Sequence, residues 1–329
     1  MERGRDGRVN IKDVADAAGV ATSTVSRVLT SPEFGSDDTR DRVFRAVRQL
    51  GYAHAPRVRR DEGVGALGLV LGELDNPFFA QLATEVLRVA KRAGHSVLLT
   101  DPDDVATAGT PGALQLAEQC VGLILWAPAV RPAVVAELSS RLRCVLLNGV
   151  DPGLPSVSSY GGDAVARAFD YLAGLGHQRF AYVMNTVQGT TSLERRLAAA
   201  RAAAVQLGVE LSVIEAHGRP DESARYAADV VVARGVTAVV AQNDRAAMSL
   251  MRRLSELGVG VPEQVSVIGC DDNPASSLFS PSITTIALPV ARLAEEAVAR
   301  VIEGNPVPGE EVVLPAHLVV RESTGPARP

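Results

Sequence analysis

The chain begins with apolar residues at helical spacing and then changes to longer apolar runs. Between residues 10 and 52, apolar side chains recur three or four positions apart, which predicts three short helices. The first helix stops at Gly19, the second covers about 21–29, and Ser36 or Asp37 can cap the third. The apolar face of the first helix consists of Ile11, Val14, Ala15 and Ala18.

From residue 66 onward, continuous apolar runs alternate with amphipathic stretches. The clearest runs are 66–71, 95–99, 121–126, 144–147, 179–184, 211–216, 237–242 and 265–270. Continuous apolar strands separated by helices indicate parallel sheets that are covered on both faces. About nine strands exceed one sheet of ordinary size, so we predict two doubly wound lobes with a ligand outside the carboxyl ends of the strands.

A polar segment separates these two patterns. Residues 52–65 are basic and contain Pro and Gly, which is typical of a linker. The predicted organisation is therefore an all-α head at 1–51, a linker at 52–65 and a two-lobed α/β domain at 66–329. Residues 1–60 carry a net charge of +4 and the remainder carries −9, so a polyanionic partner is expected to meet the head.

Composition narrows the class of protein further. No apolar run reaches 18 residues and the charged N-terminus lacks an apolar signal segment, so we expect a cytoplasmic protein that does not contact the membrane. The three cysteines lie in apolar segments without CxxC spacing, which predicts buried free thiols: Cys120, Cys144 and Cys270. Phosphate-loop, dinucleotide and nucleophile-elbow motifs are missing, so we expect neither an enzyme nor a bound metal or cofactor.

The first two predicted helices have the spacing of a helix-turn-helix. Ala15 is small where the helices approach, and Gly19 suits the left-handed turn between them. Val25 and Val28 can pack back on the first helix. The opposite face offers short polar groups and one guanidinium to a major groove, namely Thr22, Ser23, Ser26 and Arg27. The alternative from spacing alone is an ordinary helical hairpin with a polar outer face.

Longer stretches of the sequence resemble one known protein family. The stretches "NIKDVADAAGVATSTVSRVLT" and "TRDRVFRAVRQLGY" resemble the head of LacI/GalR-type bacterial repressors. The blocks "LGLVLGELDNPFFAQL", "LGHQRFAYV", "AQNDRAAMSLMRRLSELGVGVPEQVSVIGCDD", "SPSITTI" and "LVVREST" resemble later family blocks in the same order. The resemblance implies a dimer whose effector domain is like periplasmic sugar-binding proteins, with three chain crossovers. The lobes are then about 66–158 with 287–315, and 159–286 with 316–329.

The resemblance also implies roles for residues of the head. The base-reading positions correspond to Thr22, Ser23 and Arg27. The expected phosphate contacts are Thr24, Ser26, Ser31 and Thr39. Ala21 stands where the family usually has a capping Ser, so Thr22 is expected to become the N-cap and to be less available to bases.

The linker departs from the family pattern. Ala55 replaces the capping Asn of the hinge helix, and Asp61 replaces the leucine that wedges into the minor groove. The remaining basic residues can still approach phosphates or a narrow groove: Arg57, Arg59 and Arg60. We therefore expect this protein to bend its operator less than relatives that have the leucine.

The resemblance places an effector cleft between the lobes. The candidate residues are Asp75, Asn76, Phe78, Phe79, Trp126, Asn148, Tyr160, Arg196, Asn243 and Asp271. Three of them have structural alternatives, because Asn243 can be a helix cap, Asp271 a turn former and Trp126 part of the core. Ala166 and the pair Ala199-Ala200 replace family residues that grip or stack on sugars. These replacements argue against a simple sugar, and the effector class stays open among sugars, sugar phosphates, nucleosides and purines.

These observations favour a ligand-regulated repressor that binds a pseudo-palindromic operator as a homodimer. The effector would bias lobe closure and thereby the spacing of the two heads. One alternative is a small-molecule receptor without a DNA role, which the helix-turn-helix pattern opposes. An enzyme of the doubly wound class is a second alternative, and the missing catalytic motifs oppose it.

Overall fold

The computed structural model describes residues 11–30, 36–50, 65–72, 74–105, 111–126, 130–159, 162–184, 191–217, 220–303 and 309–328. The chain divides into two compact units, Met1–Arg59 and Arg60–Pro329. The predicted linker at 52–65 lies almost entirely outside the described residues, so its boundaries stay a prediction.

The first unit contains three helices around a small apolar core. They are α1 (Ile11–Ala18), α2 (Thr22–Thr30) and α3 (Asp37–Leu50). Each helix contributes a fully buried valine: Val14, Val25, Val28 and Val43 have no exposed surface. Gly19 has a φ of 64°, the left-handed conformation that glycine adopts most easily. The predicted helices and turn are confirmed.

The helix caps correct one expectation. The carbonyl of Ala21 accepts the first backbone hydrogen bond of α2 from Val25 at 3.1 Å, so Ala21 occupies the N-cap position. The expectation that Thr22 becomes the N-cap is therefore wrong, because Thr22 is already the first helical residue. In α3, Oγ of Ser36 accepts from the backbone N–H of Thr39 at 3.3 Å, which identifies Ser36 as the cap.

The second unit is built on two six-stranded sheets. The first contains β1 (Ala66–Val70), β2 (Val97–Thr100), β3 (Cys120–Trp126), β4 (Arg143–Leu147), β5 (Ser156–Ser158) and β11 (Glu311–Val313), in the order β11-β5-β4-β3-β1-β2. The second contains β6 (Arg179–Met184), β7 (Glu210–Glu215), β8 (Ala238–Ala241), β9 (Ser266–Asp271), β10 (Thr284–Ala287) and β12 (His317–Val319), in the order β12-β10-β9-β8-β6-β7. All neighbouring pairs are parallel except β10 with β12.

Helices cover these sheets. Those associated with the first sheet are α4 (Pro77–Arg92), α5 (Pro111–Gln119), α6 (Pro132–Ser139) and α12 (Val290–Glu303). Those of the second are α7 (Gly162–Gly174), α8 (Thr191–Leu207), α9 (Pro220–Ala233), α10 (Asp244–Glu256) and α11 (Pro274–Leu278). We call the two assemblies the first and second lobes. The predicted two-lobed α/β fold is confirmed.

The described residues form twelve strands rather than about nine. β5, β11 and β12 have three residues each, which is too short for a periodic signal. β10 comes from "SPSITTI", whose polar residues hide a strand that is buried throughout. These strands exist because longer neighbours fix their backbone hydrogen bonds.

The chain passes between the lobes three times. The first crossing comes between β5 and α7, and the other two are at 288–289 and 314–316. They start or end at β5 and β11 on one edge of the first sheet, and at β10 and β12 on one edge of the second. The opposite edges are β2 and β7, so the lobes are joined along one side only.

The cysteines support the packing interpretation. All three are free and buried, as predicted. Burial raises the pKa of the Cys120 thiol to about 11 and that of Cys144 to about 12, so both are held as thiols.

Within the part of the chain that the structure describes, no helix is long and apolar enough to span a membrane.

Gly122 tests the packing of α12 on the first sheet. A Cβ there would lie 2.4 Å from Cγ1 of Val301, so Gly122→Ala must push α12 away from β3. We expect the free energy of unfolding, measured by urea titration with circular dichroism, to fall by about 1–3 kcal/mol. Gly174→Ala is the control, because a Cβ at Gly174 meets nothing within 4 Å. Equal stability of the two variants would contradict the close approach.

Candidate DNA-binding and effector sites

The exposed face of α2 carries the predicted base-reading residues. Thr22, Ser23 and Arg27 are exposed, whereas Val25 and Val28 are buried on the opposite face. Since Thr22 does not serve as the N-cap, its side chain is available to a base edge. The structure thus brings the three predicted base readers to one surface.

The predicted phosphate contacts are less uniform. Thr24 is half-buried within α2. Oγ1 of Thr39 lies 2.9 Å from Oγ of Ser36, so this hydroxyl already supports the start of α3. Ser26 lies within α2, and its side chain is outside the described part. Ser31, Arg57, Arg59 and Arg60 also lie outside the described residues, and Tyr160 of the effector set does too. All these contacts stay predictions.

In the second unit, the candidate effector residues follow neighbouring parallel strands. Trp126 ends β3 and Asn148 follows β4, while Asn243 follows β8 and Asp271 ends β9. Because β3 and β4 are adjacent, as are β8 and β9, these strand ends lie side by side at the carboxyl end of each sheet. Doubly wound sheets bind ligands outside this end.

Asn148 has an unusual environment. It is 1% exposed and has a φ of 52°, which Asn tolerates better than most residues. Its Oδ1 accepts from the backbone N–H of Ser159 at 2.9 Å, which ties the end of β4 to the first crossing. Its Nδ2 is buried and has no hydrogen-bond partner among the described residues. An unpaired buried donor is costly and needs an explanation.

The aromatic candidates pack on one another. Phe79 and Trp126 meet edge to face with ring centroids 5.0 Å apart, and Phe78 lies 5.5 Å from Trp126. Phe78 and Trp126 are 1% and 6% exposed. This arrangement favours the core alternative for Trp126, and a ligand contact by Phe78 or Phe79 stays a prediction.

Two of the candidate asparagines act as helix caps. Oδ1 of Asn76 accepts from the backbone N–H of Phe78 at 3.2 Å and starts α4. Oδ1 of Asn243 accepts from the backbone N–H of Ala246 at 2.8 Å and starts α10. The cap alternative for Asn243 is therefore present in the structure, and its amide nitrogen remains a candidate for the effector.

Arg196 is a buried cation on α8. Its Nη2 donates to the carbonyl of Gln242, directly beyond β8, so the guanidinium lies against the strand ends. Burial raises the pKa of Tyr182, and the charge of Arg196 opposes that rise. Burial also raises the pKa of Cys270 near the end of β9, and the charge of Arg196 opposes that rise too. Arg196 thus lies in the second lobe near the residues that precede Asn243 and Asp271.

Asp271 sits in a strained turn. Asp271 and Asp272 have φ values of 113° and 54°, which are left-handed conformations. Nη2 of Arg321 binds Oδ1 of Asp272 at 2.6 Å and holds the turn from the C-terminal segment. The turn-former alternative for Asp271 therefore fits, and the buried carboxylate still ends a strand at the ligand edge.

Sequence analysis missed the carboxylate that organises this turn. Asp244, the first residue of α10, is fully buried. Its Oδ2 accepts from the backbone N–H of Asn273 at 2.9 Å and from Oγ of Ser276 at 2.5 Å, and its Oδ1 accepts from Oγ1 of Thr285 at 2.5 Å. A Cβ at Gly269 would lie 2.2 Å from that Oδ1, so only glycine leaves room for it. One side chain thereby connects α10, β9, α11 and β10.

Asp244 also carries a perturbed ionisation. Burial raises its pKa from 3.8 to about 6, and the hydrogen bonds from Ser276, Thr285 and Asn273 oppose the rise. The available sequence signal was an Asp at a helix start, which ordinarily indicates an exposed residue near the helix dipole. Only the tertiary contacts show that this Asp is internal.

The walls of the cleft also meet directly. Asp75 lies just before α4 in the first lobe, and Arg245 is the second residue of α10 in the second lobe. Nη1 of Arg245 lies 2.8 Å from Oδ1 of Asp75. Asp75 was predicted as an effector ligand, and in this structure its carboxylate pairs with the opposite lobe.

A helix-turn-helix unit joined to a two-lobed ligand-binding unit defines a class of protein. The first unit presents polar side chains and Arg27 on an exposed helix face. The second collects hydrogen-bonding side chains at the carboxyl ends of two sheets. Together they define a DNA-binding transcriptional regulator that responds to a small molecule.

Comparisons with known proteins identify its family. Residues 10–54 match bacterial regulatory proteins of the lacI family, and residues 169–324 match the periplasmic binding protein-like domain. The regulator MalR of Streptomyces coelicolor is 30% identical over 335 residues, covering 96% of this chain and 97% of MalR. The complex of the regulator CelR with cellobiose has a TM-score of 0.65 at 26% identity, covering 96% of this chain and 100% of that one. The lac repressor dimer bound to operator and the anti-inducer ONPF has a TM-score of 0.69 at 25% identity, covering 97% and 99%. The chain belongs to the lacI family of bacterial regulatory proteins.

Asp244→Asn tests the buried carboxylate. We expect the variant to be less stable than wild type, because an amide has one acceptor oxygen for three donors and turns its NH2 group toward at least one of them. The wild-type carboxyl binds its proton more tightly when folded, so wild-type stability falls as pH rises between the unfolded and folded pKa values. The deficit of the variant should therefore shrink by about 2 kcal/mol between pH 4 and pH 6.

Urea titrations across this pH range measure the deficit. Asp229→Asn, a substitution on the exposed face of α9, is the control and should keep the wild-type pH dependence. A deficit that is constant from pH 4 to pH 7 would show that Asp244 does not titrate as described.

Proposed function

We propose that this chain is a repressor that binds a pseudo-palindromic operator as a homodimer and is regulated by an uncharged sugar in the cleft between its lobes. It works by binding rather than by catalysis, in the cytoplasm where operator DNA is accessible. The curated relative MalR is a transcriptional regulator, and the lac repressor binds operator as a dimer.

The DNA half of the proposal rests on α2. Thr22, Ser23 and Arg27 share an exposed face, and short hydroxyls with one guanidinium suit base edges in a major groove. Arg27 can bind guanine through two hydrogen bonds, which makes it the strongest candidate for sequence specificity. A receptor without a DNA role would have no use for this face.

The effector half rests on one observation, that Nδ2 of Asn148 is buried without a partner among the described residues. A buried donor at the carboxyl end of a parallel strand is satisfied when a ligand supplies an acceptor there. A sugar hydroxyl is such an acceptor. Arg196, Asn243 and Asp271 on the second lobe supply further groups of the kinds that bind hydroxyls.

Charge favours an uncharged ligand. The candidate cleft residues and Arg245 carry two guanidinium groups and two carboxylates, which are Arg196, Arg245, Asp75 and Asp271. Because these charges balance, the walls add no net positive potential that would attract a phosphate. The CelR complex contains cellobiose, a neutral sugar, which agrees with this preference. Nucleosides and purines are the second candidate class.

Arg27→Ala tests the proposed base reader. The operator is first selected from random duplexes. We expect the variant to lose about 1–3 kcal/mol of binding free energy, and to lose its base preference at only one base pair of each half-site. Arg45→Ala, an exposed arginine of α3, is the control and should produce no position-specific loss. An equal loss of affinity on all sequences would make Arg27 a phosphate contact instead.

A thermal-shift panel tests the effector class. We expect a neutral mono- or disaccharide, from a set that includes cellobiose, to stabilise the protein by about 2.7 kcal/mol at one hundred times its Kd. Asn148→Asp should remove that shift, because it keeps the side-chain shape and removes the donor. Gln206→Glu makes the same chemical change on the exposed surface of α8 and should keep the shift. Shifts only with glucose 6-phosphate or adenosine would refute the neutral-sugar proposal.

A further inference from the structure

One ion pair connects the two lobes at the mouth of the cleft. Nη1 of Arg245 on α10 lies 2.8 Å from Oδ1 of Asp75, which precedes α4. The side chain of Arg245 is 24% exposed and that of Asp75 is 72% exposed. A mostly solvated carboxylate of one lobe thus reaches a largely buried cation of the other.

The position of Arg245 conflicts with local helix electrostatics. A cation in the first turn of a helix faces the positive end of the helix dipole and is unfavourable there. The adjacent carboxylate of Asp244 already accepts hydrogen bonds from Asn273, Ser276 and Thr285. A carboxylate from the first lobe therefore compensates an arrangement that its own helix disfavours. Such local conflicts concentrate at functional positions.

Topology places this pair away from the crossings. Asp75 follows β1, which is four strands from β11 in the first sheet, or about 19 Å at the usual strand spacing. The three crossings join the lobes at the other edge, through β5, β10, β11 and β12. An opening motion about that edge separates Asp75 from Arg245.

A second ion pair provides an internal comparison. Nη1 of Arg195 on α8 binds Oε1 of Glu311 on β11 at 2.6 Å, and Oγ of Ser158 donates to the same oxygen at 2.7 Å. Burial raises the pKa of Glu311, but the hydrogen bonds from Arg195 and Ser158 outweigh burial and hold that pKa below its ordinary value. Ser158 and Glu311 lie within three residues of a crossing, where opening changes distances least.

We infer that Asp75 and Arg245 form a latch that holds the lobes closed around the effector. They are positioning residues: the pair sets the separation of the cleft walls and neither side chain is required to touch the ligand. The consequence for effector affinity rests on the proposed function, whereas the effect on closure does not. The latch acts through charge, so salt weakens it.

The experiment measures closure without any ligand. Cysteines replace Asp103 and His217, which are exposed and follow β2 and β7 at the edges opposite the crossings. The three native cysteines are buried, so spin labels attach to the introduced pair. Labelled chains are mixed with excess unlabelled chains, and pulsed electron resonance then reports the distance between the lobes within one chain.

Single neutral substitutions should open the cleft. We expect Asp75→Asn or Arg245→Gln to lower the ratio of short to long distances at least threefold at 50 mM salt. Raising salt to 500 mM should lower the ratio in the wild type and leave it unchanged in Asp75→Asn. Glu311→Gln, which removes a charge next to a crossing, is the control and should keep the wild-type distribution.

A double variant in which the two charged residues are exchanged distinguishes a latch from a merely structural role. Asp75→Arg combined with Arg245→Asp should restore the short distance, because the attraction is retained with its partners exchanged. Circular dichroism of each variant checks that it folds. Unchanged distances in both single variants, or failure of the folded exchanged variant to restore closure, would overturn the inference. Since no ligand is used, either result is independent of whether the effector is a sugar.

Discussion

Parallel strand pairing is the constraint on which the ligand-binding unit depends. Parallel neighbours cannot be joined by tight turns, so most strands of this unit are followed by a helix that returns the chain to the start of the sheet. The carboxyl ends of the parallel strands therefore lie together at one end of each sheet. Asn148, Asn243 and Asp271 lie at these strand ends for this reason, although they are far apart in the chain. A site built from strand ends inherits the rigidity of the sheets.

Several energetically unfavourable features lie at that same end of the sheets. Asn148 and Asp271 have left-handed backbones, Asp244 is a buried carboxylate, and Arg245 opposes a helix dipole. Each feature is unfavourable by itself and persists because neighbouring contacts compensate it. These unfavourable features lie together at the strand ends where we propose that a ligand binds.

Several polar residues in the cleft have two roles. Asn76 and Asn243 each use one side-chain oxygen to start a helix, which leaves the amide nitrogen for another partner. Asn148 likewise uses its Oδ1 to hold the first crossing, while its buried Nδ2 has no partner among the described residues. A structural role and a binding role are therefore compatible at these positions, and fixing one end of the amide orients the other.

The sequence by itself determined the three helices of the head, the two-lobed architecture and most long strands, because apolar spacing reports which faces are buried. It also suggested Arg27 and the strand-end residues as candidate contacts through family motifs. Tertiary structure alone decided that β5, β11 and β12 exist, that Ala21 rather than Thr22 occupies the cap, and that Asp244 is internal. It alone paired Asp75 with Arg245, about 170 residues away. Short strands, buried charges and cross-lobe contacts depend on partners distant in the chain, and no local pattern encodes them.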